Sequence, residues 1–280
     1  KGYYKDAGLD VDIIEPGDNA TTSMVAAGKA DFGVSYQEDV TYALTSEDPL
    51  PIKTIATIIQ HNTSGFVSLK SANINSVKDF EGKTYAGWGA PSEEAVIKAV
   101  MNEAGADFNK LTIVGSDGSG IAGLSDEVGK NKVNLGWEFY GWAIIKAMQD
   151  GYDVNYMPLA DLDNRLDYYT PVIITNNKMI KKNSDTVKKF MEATKKGYEY
   201  AIDHPNKAAE ILHDNALKDT DMKFLKESQK YLSSQYAKDA DSWGVMKDSV
   251  WNNYTDFMYE TGLINKKIDA KDQYTNEFVK

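Results

Sequence analysis

The clearest signal of fold class lies in Ala27-Gly28-Lys29-Ala30-Asp31-Phe32-Gly33-Val34-Ser35. Gly28 closes a predicted helix over residues 20–28, because glycine readily adopts the left-handed conformation that ends a helix. A short apolar strand is predicted over residues 31–35, and helical spacing resumes at Glu38. Short strands that alternate with helices are typical of α/β proteins.

The same alternation extends in both directions along the chain. Residues 11–15 are predicted to form a strand, and residues 92–103 a helix with Val96, Ile97, Val100 and Met101 on one face. A further helix is predicted over residues 121–128. After a strand at 172–175 the chain is helical to its end, with Trp243, Trp251 and Tyr254 at core spacing.

This order predicts two α/β domains. Residues 1–83 and 172–280 are expected to form one domain, and residues 84–171 the other. The chain would cross twice between them, which indicates a hinge and an interdomain cleft.

Aromatic and acidic side chains cluster at three predicted strand-to-helix corners. The richest corner is Gly136-Trp137-Glu138-Phe139-Tyr140-Gly141-Trp142, which offers flat faces for a ring and a carboxylate for its edge. Because α/β proteins bind ligands at the carboxyl ends of strands, the corners together predict one binding site. The candidate residues at them are Tyr36, Gln37, Trp88, Glu93, Trp137, Glu138, Tyr140 and Trp142.

Several candidates also have a structural interpretation. Trp137 could be strand core, since alternating side chains cannot all face one site. Glu93 could simply stabilise the amino end of a helix through the helix dipole. Tyr169, at the second expected crossing, could shape the hinge or line the cleft.

Composition excludes several classes of function. The net charge of −11 argues against nucleic-acid binding, which needs a basic face. The absence of cysteine excludes disulfides and thiol chemistry, and three scattered histidines have no metal-site spacing. Arg165 is the only arginine, which disfavours an anionic ligand. Neither a catalytic motif nor a cofactor motif is present, so we expect no enzyme, no cofactor and no metal.

Several motifs resemble those of type II periplasmic binding proteins. They include Lys1-Gly2-Tyr3-Tyr4-Lys5-Asp6-Ala7-Gly8-Leu9-Asp10-Val11 and Ala27-Gly28-Lys29-Ala30-Asp31-Phe32-Gly33-Val34, followed by Phe139-Tyr140-Gly141-Trp142. The chain looks most like the group that binds thiamine pyrimidine precursors, which has relatives for sulfonates, nitrate and riboflavin. Members usually begin with a further strand and loop, which we expect to precede Lys1.

The resemblance implies a monomeric receptor that delivers its ligand to an ABC transporter permease. Its location would be extracytoplasmic, in the periplasm or as a cell-surface lipoprotein, with membrane contact only through the permease or a lipid anchor. Relatives place ligand hydrogen bonds where this chain has Asn62 and Ser64, which could equally form a plain turn.

The acids at all three corners favour a neutral or protonated heteroaromatic. Among the ligands of the group that the chain resembles, this implies a hydroxymethyl- or formylaminomethyl-pyrimidine. A sulfonate or nitrate receptor and a riboflavin receptor remain alternatives. A pyridoxal-phosphate-using pyrimidine synthase shares the fold, but it needs a lysine and a histidine where this chain has Ser35 and Asp39.

Overall fold

The computed structural model describes residues 1–17 and 20–280. The strands of this part of the chain are β1 (Phe32–Ser35), β2 (Ile52–Thr57), β3 (Ser64–Leu69), β4 (Thr84–Gly87), β5 (Thr112–Gly115), β6 (Leu135–Phe139), β7 (Val154–Pro158) and β8 (Val172–Asn176). Its α-helices are α1 (Tyr3–Asp6), α2 (Thr21–Ala26), α3 (Gln37–Thr45), α4 (Pro91–Glu103), α5 (Ile145–Gln149), α6 (Leu159–Leu162), α7 (Asn177–Lys182), α8 (Ser184–Asp203), α9 (Pro205–Asn215), α10 (Met222–Ser233), α11 (Asp248–Glu260) and α12 (Ala270–Gln273).

The chain divides into two compact units. Unit 1 comprises Lys1–His61, Tyr168–Tyr259 and Ile264–Lys280, and unit 2 comprises Asn62–Asp167 and Glu260–Leu263. The chain therefore enters unit 2 at Asn62, earlier than the crossing predicted at residue 83. The physical reason is strand pairing, because β3 forms ladders with β6 and β7 and not with β2. The return to unit 1 comes at Tyr168, close to the predicted position.

Unit 1 is built on a three-stranded sheet in the order β1-β8-β2. β8 lies in the middle and pairs antiparallel with both neighbours. All five of its residues are buried, as expected for a strand covered on both faces. Ile173 packs in one hydrophobic cluster, whereas Val172 and Ile174 pack in another. The two clusters therefore cover opposite faces of the sheet.

The helical tail supplies much of the core of unit 1. Trp243, Trp251 and Tyr254 are each at most 1% exposed, which confirms the prediction that these aromatic residues belong to the core. The tail helices are amphipathic, as their sequence spacing predicts.

The predicted strand over residues 11–15 is wrong. These residues form no ladder with any strand that the structure describes, and Ile13 is 93% exposed. An alternating pattern supplies the faces of a strand, but a strand also needs a neighbour for its hydrogen bonds.

Unit 2 contains a five-stranded sheet in the order β5-β4-β6-β3-β7. β4 runs parallel to both β5 and β6, whereas β3 is antiparallel to β6 and β7. The carboxyl ends of β4, β5 and β6 therefore lie along one edge of the sheet.

The core of unit 2 is aromatic near α4. Phe66 lies edge-on to Phe80 and Tyr85, with ring centroids 5.3 and 6.2 Å apart. Val96, Ile97, Val100 and Met101 of α4 are all buried, which confirms the predicted apolar face of this helix. The helix predicted over residues 121–128 is wrong, because only Gly120–Gly123 forms a single 3₁₀ turn. Its glycines lower helix propensity, and Asp126 and Glu127 follow outside the turn.

Candidate binding site

A concave pocket lies where three parallel strands of unit 2 end. Trp88 follows β4, the loop over residues 116–120 follows β5, and Trp137 and Glu138 belong to the last residues of β6. Side chains from all three segments line the pocket, whose volume is about 210 Å³. Ligand sites of α/β proteins occur at this position because the loops there converge.

Two indoles form one wall of the pocket. The rings of Trp88 and Trp137 meet edge to face, with centroids 5.2 Å apart and planes at 63°. The Trp137 ring also packs on the ring of buried Phe66, with centroids 5.7 Å apart. This contact joins the Trp137 ring to the core. Trp88 is 60% exposed, so a large part of this residue is accessible to a flat ligand.

The Glu138 carboxylate faces the same pocket. It is half-buried, and burial raises its pKa above the ordinary value. Within residues 1–17 and 20–280 it accepts no hydrogen bond and forms no ion pair. A carboxylate in this position is available to accept hydrogen bonds from a ligand.

The opposite wall is the polar loop that follows β5, which contributes Ser116, Asp117, Ser119 and Gly120 to the lining. The Ser119 amide donates to Asp117 at 2.9 Å, and hydrogen bonds from Ser119 hold the pKa of Asp117 below its ordinary value. Gly120 has a φ of +56°, and a Cβ there would lie 3.8 Å from Glu138 Oε1. Neither lysine nor arginine is among the lining residues.

This loop is not among the site residues predicted from the sequence. Gly115-Ser116-Asp117-Gly118-Ser119-Gly120 directly follows a predicted strand, and its glycine and hydroxyl content was the available signal. The signal was overlooked because the loop lacks the aromatic residues that mark the other corners.

Glu93 lies beneath the pocket wall, outside the lining residues. It is 2% exposed and accepts hydrogen bonds from the Tyr85 hydroxyl at 2.5 Å, the Trp88 amide at 3.2 Å and the Gly89 amide at 2.9 Å. Burial, followed by the bond to Glu93, raises the pKa of Tyr85. The hydrogen bonds that the Glu93 carboxylate accepts thus all come from residues of unit 2.

Asn62 and Ser64 also have their polar groups satisfied within unit 2. The Asn62 side chain donates to the Leu166 carbonyl and accepts from the amide and hydroxyl of Ser64, at distances of 2.7–2.9 Å. Its own amide donates to Asp167 at 2.8 Å. Both residues are nearly inaccessible and have a structural role, and their contact with a ligand stays a prediction.

Five further predicted residues lie outside the pocket lining. Gln37 and Tyr169 are buried in unit 1 and hydrogen-bonded to each other. Tyr36, also in unit 1, is 49% exposed at the start of α3. In unit 2, Tyr140 packs against Tyr156 with centroids 5.3 Å apart.

Trp142 is 48% exposed and is not among the lining residues of the pocket. Trp88, Trp137 and Glu138 are therefore the predicted residues that the structure brings together there.

Unit 1 carries a second aromatic and acidic corner. The Tyr254 hydroxyl donates to Glu38 at 2.9 Å, and the Tyr168 ring stacks on that of Tyr254 with centroids 4.0 Å apart. Desolvation raises the pKa of Tyr254, and the neighbouring Tyr168 and Glu38 raise it further.

The part of the chain that the structure describes offers no group of three or more metal-ligating side chains. In the same residues, no helix combines the length and apolar character that a membrane crossing requires.

Comparison with known proteins assigns the family. The sequence model described as NMT1/THI5 like matches residues 1–208. The chain belongs to this family.

Two relatives of the chain are named as binding proteins. The chain is 28% identical to the formylaminopyrimidine-binding protein of Halalkalibacterium halodurans over 225 residues, which cover 76% of the chain and 63% of that protein. It thus spans less than two thirds of this relative. It is 25% identical to the riboflavin-binding protein RibY of Chloroflexus aurantiacus, over 100% of the chain and 80% of that protein.

Further relatives carry enzyme names. One is the 4-amino-5-hydroxymethyl-2-methylpyrimidine phosphate synthase of Candida albicans, which is 24% identical and matches 100% of the chain and 81% of that protein.

A solved structure shows the fold. The protein described as a putative sulfonate ABC transporter, periplasmic sulfonate-binding protein SsuA, from Methylobacillus flagellatus superposes with a TM-score of 0.69. The match covers 99% of this chain and 82% of that one at 15% identity. The fold is therefore that of the periplasmic binding proteins.

Proposed function

We propose that this chain is the substrate-binding component of an ABC importer and that it binds a thiamine pyrimidine precursor in the unit 2 pocket. The ligand would be a hydroxymethyl- or formylaminomethyl-aminopyrimidine. The observation that carries the proposal is the half-buried Glu138 carboxylate, which has no hydrogen-bond partner among the described residues and lies beside two indoles.

Glu138 suits the edge of an aminopyrimidine. The exocyclic amino group of such a ring donates one hydrogen bond, and a protonated ring nitrogen donates a second. Two parallel N–H···O bonds to one carboxylate are strong and directional. A raised pKa also lets Glu138 share a proton with the ring nitrogen.

The indoles suit the face of the ring. A pyrimidine is flat and electron-poor, and the exposed face of Trp88 is electron-rich. The Trp88 and Trp137 side chains would thus stack or edge-pack on the ligand while Glu138 selects its hydrogen-bonding edge.

An anionic ligand is less well matched. Asp117 and Glu138 both line the pocket, and no lysine or arginine joins them there. Sulfonate or nitrate would therefore meet carboxylates and no countercharge. The resemblance to a sulfonate-binding structure concerns the fold alone.

Riboflavin is disfavoured by size. A pocket of about 210 Å³ is smaller than the roughly 300–1,000 Å³ typical for drug-sized ligands. A single-ring ligand fits that volume better than a three-ring flavin does.

Isothermal titration calorimetry with four ligands tests the proposal. We expect heat from 4-amino-5-hydroxymethyl-2-methylpyrimidine and from its formylaminomethyl analogue, and none from taurine or riboflavin. Glu138→Gln should weaken pyrimidine binding by about 1.5–3 kcal/mol, because a charge-assisted bond is lost. The matched control, Glu94→Gln, changes an exposed carboxylate of α4. Tight binding of taurine without binding of pyrimidines would refute the proposal.

The synthase alternative has its own test. A Schiff base needs a lysine amine, but the position expected for it holds Ser35, whose hydroxyl donates to Asp39 at 3.3 Å. We expect no Schiff-base absorbance after incubation with pyridoxal phosphate. A stable band that borohydride traps on one lysine would favour an enzyme.

The location and the protein partner follow from the same proposal. An importer receptor acts outside the cytoplasm as a monomer and docks on its permease. Ligand uptake by vesicles that contain the permease should depend on this protein, and uptake at the same rate without it would contradict the role.

A further inference from the structure

A buried carboxylate holds the glycine-flanked tryptophan of the pocket in place. Glu93 is the third residue of α4, where acids normally lie at the surface and interact with the helix dipole. Here the side chain turns back from the helix and is 2% exposed. A buried carboxylate is costly unless donors surround it, which indicates that its three hydrogen bonds are a built arrangement.

Two of the three donors are consecutive main-chain amides. Glu93 Oε1 accepts a hydrogen bond from the Trp88 amide, and Oε2 accepts one from the Gly89 amide. The carboxylate therefore binds the backbone on both sides of the Trp88 Cα. The Tyr85 hydroxyl, from inside β4, holds the same carboxylate at 2.5 Å. Glu93 thus ties the loop to the strand before it.

The contact with Glu93 explains Gly87, and backbone conformation explains Gly89. A Cβ on Gly87 would lie 2.0 Å from Glu93 Oε1, so a side chain there would expel the carboxylate. Gly89 has a φ of +81°, a backbone conformation that residues with a side chain rarely adopt. Glycines on both sides of Trp88 widen the range of backbone conformations open to the unfolded chain. The hydrogen bonds that the Trp88 and Gly89 amides donate to Glu93 restrict the backbone here.

We propose that Glu93 is a positioning residue that sets ligand affinity by holding the Trp88 indole in the pocket wall. It does not line the pocket itself, whereas Gly87 and Trp88 do. The sequence prediction of a direct ligand contact is thereby replaced by an indirect role. This inference rests on the proposed function, because the affinity that it explains is affinity for a flat heteroaromatic.

A double-mutant cycle tests the inference. Glu93→Gln, Trp88→Ala and the double variant are titrated with 4-amino-5-hydroxymethyl-2-methylpyrimidine. We expect Glu93→Gln to weaken binding about tenfold in the wild-type background and to have little further effect once Trp88 is absent. Equal losses in both backgrounds would overturn the inference. Glu94→Gln, the exposed neighbour in the same helical turn, is the matched control and should bind as wild type does.

A ligand-free measurement separates positioning from general stability. Fluorine NMR of protein labelled with 5-fluorotryptophan reports each of the five tryptophans, and Trp88→Phe identifies the Trp88 signal. In Glu93→Gln we expect that signal to shift and narrow as the ring gains freedom, while the signals of buried Trp243 and Trp251 stay in place. An unchanged Trp88 signal would overturn the inference.

The two proposals fail separately. If wild-type protein binds no pyrimidine, the proposed function fails, and the fluorine spectra alone decide whether Glu93 positions Trp88. If Glu93→Gln does not fold, Gly87→Ala disturbs the same carboxylate from the opposite side and should mobilise the Trp88 signal in the same way. A folded Gly87→Ala with an unchanged signal would contradict the inference.

Discussion

Gln37 and Tyr169 are joined by two hydrogen bonds that close a ring. The Gln37 amide donates to the Tyr169 carbonyl at 3.0 Å, and the Tyr169 amide donates to Gln37 Oε1 at 2.9 Å. The Gln37 Nε2 group donates onward to the Val250 carbonyl, and the Tyr169 hydroxyl accepts from the Lys247 amide. Gln37 and Tyr169, which were predicted to bind ligand, thus satisfy each other's hydrogen-bonding groups. Their bonds connect the start of α3 to the segment before β8.

Replacing the side chain of Gln37 should destabilise unit 1. Gln37→Leu leaves the buried Tyr169 amide without its acceptor, and an unsatisfied buried donor costs about 1–3 kcal/mol. Urea unfolding measures the loss in the free energy of unfolding. Affinity for pyrimidine should stay at the wild-type level in the folded variant, and a selective loss of affinity with unchanged stability would show that Gln37 contacts ligand.

Asn62 should contribute to stability in a similar way. Asn62→Ala removes an acceptor for two Ser64 donors and a donor to the Leu166 carbonyl. Because these groups are buried, we expect a loss of about 2–4 kcal/mol in the free energy of unfolding. Asn102→Ala makes the same chemical change on the exposed face of α4 and should stay within about 0.5 kcal/mol of wild type. Similar stabilities for the two variants would contradict this role.

Gly120 should control ligand access to Glu138. Gly120→Ala is strained at a φ of +56° and places a methyl group in the pocket, 3.8 Å from the carboxylate. We expect it to lose stability by about 1 kcal/mol and also to weaken pyrimidine binding.

The same loop supplies a control for this experiment. Gly118 has a φ of +81°, but a Cβ there would contact nothing within 4 Å, and the residue does not line the pocket. Gly118→Ala should therefore lose similar stability and keep its affinity in calorimetry. Parallel losses of affinity in both variants would attribute the effect to loop strain instead.

Glu138 should make stability depend on pH. Burial raises its pKa above the ordinary value of 4.5, so the folded protein holds this proton more tightly than the unfolded chain does. The wild-type protein then loses stability as the pH rises from 4.5 through the raised pKa, and the loss is complete above it.

Glu138→Gln cannot titrate at this position. The difference in free energy of unfolding, variant minus wild type, should therefore grow from about pH 4 towards neutral pH and then level off. Urea unfolding at a series of pH values measures this difference. A constant difference across the series would show that the carboxylate is not desolvated in the folded state.

The fold class was predictable because it depends on local patterns. Helical spacing identified the buried face of α4, and the spacing of the tail identified Trp243, Trp251 and Tyr254 as core. An alternating pattern was misleading where the segment has no neighbouring strand to pair with, as residues 11–15 show. The boundary between the units was placed too late because the pairing of β3 with β6 and β7 leaves no local trace in the sequence.

The candidate site was predictable only in part. The corner rule found Trp88, Trp137 and Glu138, since strand ends can be located from the chain alone. The same rule also selected Gln37 and Glu93, and the family resemblance suggested Asn62. The polar groups of these three side chains are satisfied inside the protein.

By itself the sequence determined the α/β class, the acidic and lysine-rich composition with one arginine, and the strand ends where aromatic residues meet carboxylates. Only the tertiary structure decided which of those carboxylates stays available. Glu138 and Glu93 are alike as residues at strand-to-helix corners, yet Glu93 is surrounded by three donors whereas Glu138 faces a pocket. The physical reason is that periodicity is set by near neighbours in the chain, whereas the hydrogen-bond partners of a buried polar group are set by contacts that form only on folding.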